Sequence, residues 1–254
     1  MKNIIPLTLT IGVAVMVTSA SAQVSVSTAF GNGSDVEMAE RNNPTAASNG
    51  DALNTRWNTT DRNETVGLRF DLSGYALSDL TDVSLNLINY RDNSTRYVNI
   101  YGVTQGAAGG TGAFTTETWS DTTVTAWGDL PGLLVSDGTD TTISIDDANL
   151  TLLVDNWTIS NLSEGTVETA TSAALTSFVQ GYSGSSMITF LLTQGSTTSG
   201  GQFRFASKEA ASLTTITGTA GEFAPYLEFT VVPEPSTFAL LGLGGLAMLI
   251  RRRH

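Results

Sequence analysis

The sequence predicts an all-β protein, a jelly-roll-like antiparallel β-sandwich with one short helix. Apolar and polar residues alternate in many short runs, which is the period of a half-buried strand. Clusters rich in Gly, Ser, Asp and Asn separate these runs, as turns separate strands. Many short strands at regular spacing are typical of sandwiches and jelly rolls. No internal repeat divides the 254 residues into equivalent units.

The alternation places strands at 65–73, 81–90, 97–103, 150–159, 186–193, 202–206 and 225–232. In the first of these strands, every second residue is apolar and shares one face: Val66, Leu68, Phe70 and Leu72. Arg69 lies between them in sequence and is therefore expected on the opposite, polar face. Arg204 stands between Phe203 and Phe205 in the same way. A helical period occurs only at 169–182.

Both ends of the chain read as targeting segments. A basic start, an apolar stretch from Ile4 to Val17 and an Ala-Ser-Ala site predict a helical signal peptide over 1–22. The other end, 233–254, combines a tripeptide, a predicted apolar helix over 238–250 and a basic tail. The tripeptide is Pro233, Glu234 and Pro235, and the basic tail contains Arg251, Arg252 and Arg253. A bilayer span needs roughly 20 apolar residues, so the shorter run predicts transient residence in the membrane.

This ending resembles the PEP-CTERM protein-sorting signal. The resemblance implies that an exosortase-type membrane protease reads the tripeptide, in a host that makes exopolysaccharide. It also implies an exported protein of the cell envelope or the extracellular space, which is first held at the inner membrane by its C-terminal helix. Cleavage and retention of the C-terminus both stay open.

The region between the ends resembles a DNRLRE-type domain, a β-sandwich similar to a family of carbohydrate-binding modules. The resemblance covers 23–232 and depends on phrases in a fixed order, chiefly "VGLRFDLSG" (66–74), "ETWSDTTVTAWGDLP" (117–131), "FRFASKEA" (203–210) and "APYLEFT" (224–230). Asp121 replaces the family's Glu, and 132–165 is longer than expected. We therefore expect an inserted hairpin or an extra edge strand in 132–165.

Composition narrows the possible functions. The formal net charge is −12, and without the basic residues of the two ends the domain is more acidic still, which argues against nucleic acid as a partner. The chain has no cysteine, and its one histidine is His254. Thiol or histidine nucleophiles and Cys/His zinc sites are thereby excluded from the domain.

We accordingly expect no enzyme. The favoured function is non-catalytic, either the binding of polysaccharide or a part in the extracellular matrix. A small polysaccharide lyase or a glycoside hydrolase with paired carboxylates is the first alternative. A purely structural surface protein without a ligand is the second.

Candidate ligand-binding residues are aromatic or carry a guanidinium: Trp57, Arg69, Arg204, Tyr90 and Tyr182. Aromatic rings stack on sugars, and guanidiniums bind a uronate or a sulfate bidentately. The alternative is structural, with the arginines in ion pairs to acids such as Asp71 or Glu209. We expect Trp119 and Trp127 to lie in the core.

No cofactor is expected apart from a possible structural Ca²⁺. Jelly-roll modules often hold such an ion in a loop through carboxylates and carbonyls. Oxygen ligands are offered by "NGSDVEMAE" (32–40) and "DGTD" (137–140), and the candidates are Asp35, Glu37, Asp137 and Asp140. Neither segment follows the EF-hand pattern. The Ser-Lys-Glu sequence at Ser207–Glu209 is expected to end its strand with a structural hydrogen-bond network.

Overall fold

A computed structural model describes residues 21–40, 46–48, 50–57, 63–91, 95–136, 143–160, 163–195 and 202–232. Residues Ala22–Val231 form one compact unit. Residues 1–20 of the predicted signal helix, the sorting tripeptide, the apolar helix and the basic tail lie outside the described residues, and so do Asp137 and Asp140. The last residue of the predicted signal segment, Ala22, begins a strand.

The described residues form two antiparallel sheets. Their strands are β1 Ala22–Ser27, β2 Ser34–Ala39, β3 Ala46–Ser48, β4 Ala52–Arg56, β5 Glu64–Asp71, β6 Leu80–Ile88, β7 Arg96–Val103, β8 Leu150–Ile159, β9 Val167–Thr171, β10 Met187–Gln194, β11 Gln202–Ala206 and β12 Tyr226–Val231. The smaller sheet has the order β1-β12-β6-β9, and the larger has β11-β4-β5-β10-β7-β8 with β2 and β3 added beside β5. One α-helix, α1, covers Ala173–Gly181.

Each predicted strand is confirmed, with ends that shift by at most two residues. The predicted helix at 169–182 began too early, because 169–171 belong to β9, whose side chains alternate between exposed and buried. The chain leaves this strand at Ser172, whose Oγ accepts a hydrogen bond from Leu175 N at 2.9 Å and caps α1. Strand β8 ends the order of the larger sheet, in agreement with an edge strand in 132–165.

The two sheets pack face to face around one apolar core. Leu85 and Phe229 of the smaller sheet belong to the same buried cluster as Leu68, Phe70 and Phe190 of the larger. The Phe70 and Phe190 rings meet edge to face, with their centroids 5.9 Å apart. The fold is therefore a sandwich, as the alternation predicted.

The second face of the larger sheet is also covered over β2, β5, β7 and β10, by the segment 104–135, which we call the covering segment. Trp119 and Trp127 are fully buried there, which confirms their predicted place in the core. Trp119 Nε1 donates to Thr189 Oγ1 at 2.9 Å. Leu130 fills the space beside Gly67, where an added Cβ would come within 2.8 Å of its methyl groups. Both faces of β5 are consequently buried, and the predicted polar face of this strand does not meet solvent.

Candidate functional site

Among the described residues, positive charge is most concentrated where β4 and β11 pair. Phe203 and Phe205 of β11 are fully buried, so the alternating residues Gln202 and Arg204 point outward. Gln202 lies opposite Arg56 in the antiparallel register. Directly opposed residues of an antiparallel pair share a face, so Arg56 joins the same outer surface.

Two further arginines converge on Gln202. With its amide oxygen turned toward the guanidiniums, Gln202 accepts hydrogen bonds from Arg204 Nε at 2.8 Å, Arg204 Nη2 at 2.7 Å and Arg91 Nη2 at 3.2 Å. Arg96 Nε donates to the Gln202 carbonyl at 3.2 Å. We call Arg56, Arg91, Arg96, Arg204 and Gln202 the arginine face.

The arginine face is unusual because the surrounding protein is acidic. Of the twelve basic residues in the chain, eight lie in 23–232, and four of those eight are in the arginine face. Arg56 lies opposite the buried Glu64 of β5 in the antiparallel register. An anionic group that accepted from two of these guanidiniums would form charge-assisted hydrogen bonds, which are stronger than neutral ones.

Three of the five predicted ligand-binding residues lie at or beside this face. Arg204 belongs to it, and Tyr90 N donates to the Arg204 carbonyl at 3.2 Å. Trp57 follows Arg56 at the end of β4, is half-buried, and donates from its backbone N to Gln194 Oε1 at 2.7 Å. Sequence reasoning missed Arg91 and Arg96. Arg91 belongs to the sequence "RDNS" (91–94), which is typical of a turn. Arg91 and Arg96 are connected through Gln202, which is distant from both in sequence.

Arg69 lies elsewhere and is only 6% exposed. Its guanidinium donates to the Asn32 carbonyl at 3.0 Å from Nε and 2.7 Å from Nη2, and also to the Trp119 carbonyl. It sits 5.3 Å from the centre of the Trp119 ring. Burial lowers the pKa of Arg69, while Asp121 and Asp71 act in the opposite direction. Its hydrogen-bond partners are thus backbone carbonyls rather than the acids expected, and they join β5 to the loop before β2 and to the covering segment.

Tyr182 lines a separate, uncharged cleft of about 500 Å³ beside the end of α1. Its ring is buried, and its hydroxyl donates to the Val103 carbonyl at 2.9 Å. Burial raises the pKa of Tyr182 to about 12. The half-buried ring of Tyr75 also faces the cleft and packs edge-on against Phe229, with centroids 5.1 Å apart. The remaining lining residues are Leu77, Ser78, Gln180, Ser183, Gly184, Ser185 and Ser186.

The two described calcium candidates have protein partners. The Asp35 carboxylate accepts from Thr28 Oγ1 at 2.7 Å and from Lys208 N at 2.9 Å. The Glu37 carboxylate accepts from Asn54 N at 2.9 Å. Across the described ranges, no group of three or more Asp, Glu, His or Cys residues is arranged to hold a metal ion. The calcium site stays a prediction.

The loop after β11 carries the hydrogen-bond network predicted for its Ser-Lys-Glu sequence. Ser207 Oγ accepts from Glu209 N at 3.1 Å. Lys208 Nζ lies 3.1 Å from Asp121 Oδ1, and that oxygen also accepts from Ser34 Oγ at 2.7 Å. The network joins this loop to β2 and to the covering segment.

No helix in the described parts of the chain is long and apolar enough to cross a membrane.

Comparison with known families bears on the C-terminus. The family model of the PEP-CTERM protein-sorting motif matches residues 231–253, which contain the tripeptide and all three arginines of the basic tail. No DNRLRE-type or carbohydrate-binding-module family matches, and no curated protein matches the chain. The chain carries a PEP-CTERM sorting motif, which indicates a protein exported to the cell envelope and processed by an exosortase.

Proposed function

We propose that the exported sandwich binds an acidic polysaccharide at the arginine face and does not cleave it. The observation that carries the proposal is the convergence of three arginines on Gln202, with Arg56 opposite it in the strand register, in a protein of net charge −12. A uronate carboxylate or a sulfate ester offers two oxygens in a plane, which is the geometry that a guanidinium binds bidentately.

Aromatic residues beside the arginine face support a sugar ligand over a small free anion. Trp57 and Tyr90 are both half-buried residues that lie beside this face. Sugar rings offer apolar C–H faces that pack on aromatic rings, while their hydroxyls and carboxylates meet polar groups. The resemblance to DNRLRE-type domains agrees with this role, because those domains are similar to carbohydrate-binding modules.

The test is affinity electrophoresis of residues 23–232 in gels that contain polygalacturonate, alginate, sulfated dextran or neutral dextran. We expect retardation by an acidic polymer and none by neutral dextran. The double substitution Arg91→Gln with Arg204→Gln should weaken binding at least about tenfold, or about 1.4 kcal/mol. Added salt should weaken binding too, because exposed charges are screened.

Two controls locate the interaction. The charge-conserving pair Arg91→Lys with Arg204→Lys separates bidentate recognition from net charge, because lysine cannot present the planar fork. Tyr75→Ala alters the uncharged cleft and should leave the acidic polymer bound. If the wild type and the double variant Arg91→Gln with Arg204→Gln are retarded to the same extent, the arginine face is not the binding site. Appearance of unsaturated uronate products would instead favour a lyase.

The uncharged cleft supports a second candidate function, the binding of a neutral polysaccharide. Its lining combines the Tyr75 ring with serine hydroxyls and the Gln180 amide, and it contains no charged residue. Retardation by neutral dextran that is lost in Tyr75→Ala and kept in Tyr97→Ala would favour this cleft. Tyr97 is the matched control because it is an exposed tyrosine on β7. A chain that no polymer retards would favour the structural alternative.

A further inference from the structure

Lys208 is the only lysine between the two ends of the chain. Of the eight basic residues in 23–232, the other seven are arginines. Lysines usually lie at the surface with the ammonium group in water, whereas only 19% of the Lys208 side chain is exposed. A neutral lysine amine is a nucleophile, while a guanidinium stays protonated and is not. The domain therefore holds its one lysine amine in a largely shielded position.

The ammonium group of Lys208 lies against the carboxylate of Asp121. Nζ is 3.1 Å from Oδ1, and only 9% of the Asp121 side chain is exposed. Lys208 N donates to Asp35 Oδ2 at 2.9 Å, which fixes the backbone on one side. On the other side, Asp121 N donates to the hydroxyl of the buried Ser34 at 2.7 Å, and this hydroxyl donates back to Asp121 Oδ1 at 2.7 Å. Two groups held in contact in this way react as if each were present at a very high concentration.

A second carboxyl group lies beside the pair. Glu209 Oε1 is 3.8 Å from Lys208 Nζ. Glu209 Oε2 is buried and has no hydrogen-bond partner in the described structure, although buried polar atoms are nearly always paired. Glu209 thus has an oxygen available to accept a proton next to the ammonium group.

We propose that Lys208 and Asp121 condense to an amide, an isopeptide bond that links the loop after β11 to the covering segment. The new bond joins Nζ of Lys208 to Cγ of Asp121, and one carboxylate oxygen of Asp121 leaves as water. The ammonium group supplies both hydrogens of this water and keeps its third as the amide N–H. Atoms and charge therefore balance without a further reactant. The inference is independent of the arginine face.

The neighbouring groups have defined roles in this reaction. Glu209 accepts a proton from the ammonium group, which leaves a neutral amine to attack Cγ, and passes the proton to the departing oxygen of Asp121. The Ser34 hydroxyl stabilises the negative charge that develops on Oδ1 as the carbon becomes tetrahedral. Shielding from water favours the uncharged amide, because a buried ion pair loses hydration that its own attraction does not fully replace.

A covalent link at this position would replace the constraint that disulfides give to other exported proteins. The chain has no cysteine, so no disulfide restricts its unfolded state. Asp121 and Lys208 are 87 positions apart. A cross-link stabilises a fold more when it closes a longer loop, so this bond would have a large effect on stability.

The first experiment is mass spectrometry of residues 23–232 under denaturing conditions. The compact unit Ala22–Val231 contains all the groups involved. We expect an intact mass that is lower than the sequence mass by one water molecule. Chymotrypsin digestion should give peptide 120–127 joined to peptide 206–213 through Asp121 and Lys208. A folded wild type with the full sequence mass would overturn the proposal and leave a simple ion pair.

Variants distinguish condensation from ion pairing. Lys208→Arg keeps the positive charge but cannot condense, so it should have its full sequence mass. Glu209→Gln keeps Lys208 and Asp121 but removes the proton carrier, so it too should keep its full mass. Asp121→Asn should lose ammonia instead of water, because the amide nitrogen is then the leaving group. Glu222→Gln, at an exposed glutamate, is the matched control and should lose water as the wild type does. Complete condensation in Glu209→Gln would overturn the role of Glu209.

Thermal unfolding measures the consequence of the bond. Lys208→Arg preserves a cation beside Asp121 and removes only the cross-link. Its Tm should be lower than that of the wild type by at least about 8 °C, because the unfolded chain regains the freedom of a long loop. Equal Tm values would contradict a cross-link that constrains the unfolded chain.

Discussion

Single residues with the same local sequence acquire different roles from their neighbours in space. Arg69 and Arg204 are each flanked by apolar residues on a strand, and the alternation predicts the same outward position for both. Strand β5 is central and covered on both faces, whereas β11 ends the order of its sheet. Arg69 is therefore enclosed among backbone carbonyls, and Arg204 reaches the surface. The covering segment, which buries Arg69, lacks the alternating pattern of a strand. The sequence alone therefore does not show that this segment covers β5.

The first residue-scale prediction concerns Arg69→Lys. Lysine keeps the charge but cannot donate in three directions from a planar group, so the Asn32 and Trp119 carbonyls lose donors. We expect the free energy of unfolding to fall by about 3 kcal/mol, since hydrogen bonds to charged groups contribute about 1.5–3 each. Urea unfolding followed by tryptophan fluorescence measures the loss.

Arg96→Lys is the matched control for this substitution. Arg96 is half-exposed, and its Nη1 donates to the carbonyl of its neighbour Thr95 at 2.8 Å. Water replaces such exposed bonds, so the change should cost less than about 1 kcal/mol. Equal losses in the two variants would mean that the Arg69 contacts contribute little to stability.

At the scale of elements, prediction succeeded where alternation was long and apolar. The strands near 66, 85, 100 and 190 were all found, because their core-facing residues are aliphatic or aromatic. Strand β2 was missed because its buried residues include Asp35 and Glu37, which read as a polar loop. Strand β9 was missed because "VETAT" joins a helical sequence directly. Buried polar side chains satisfied by distant partners leave no local pattern.

Helix α1 provides an element-scale prediction through its cap. Ser172 Oγ accepts from Leu175 N at 2.9 Å and donates to the Leu153 carbonyl of β8 at 2.7 Å. Ser172→Ala removes both bonds, and we expect the free energy of unfolding to fall by about 1–2 kcal/mol. Ser177→Ala, at an exposed position inside the helix, should change stability little or raise it slightly. Thermal unfolding of the two variants compares them, and an equal effect would argue against capping.

The candidate site belongs to the scale of the whole molecule. Its residues come from the end of β4, the turn after β6, the start of β7 and the start of β11, which are distant in sequence. Sequence reasoning identified Arg204, Tyr90 and Trp57 by residue type alone. Their association with Arg91 and Arg96 depends on strand pairing, which a single sequence does not specify. The C-terminal sorting motif was predictable because its three parts are contiguous.

The last prediction concerns how the molecule reaches its destination. The sorting motif match begins at Val231, the final residue of β12, so the sequence that directs processing follows the sandwich almost at once. Replacing Pro233, Glu234 and Pro235 with alanine should leave β12 complete and remove the tripeptide that an exosortase reads. Fractionation of the native host should then find uncleaved protein accumulating with the membrane.

The control for this experiment is alanine at Ser236 and Thr237, which alters the same stretch and keeps the tripeptide. That variant should be processed like the wild type. Limited proteolysis of the alanine-tripeptide protein should give the wild-type fragment pattern for the sandwich, because the compact unit ends at Val231. A folded tripeptide variant that is still processed and released normally would exclude the tripeptide as the signal. If the tripeptide variant is misfolded, the tripeptide contributes to the stability of the protein rather than to its sorting.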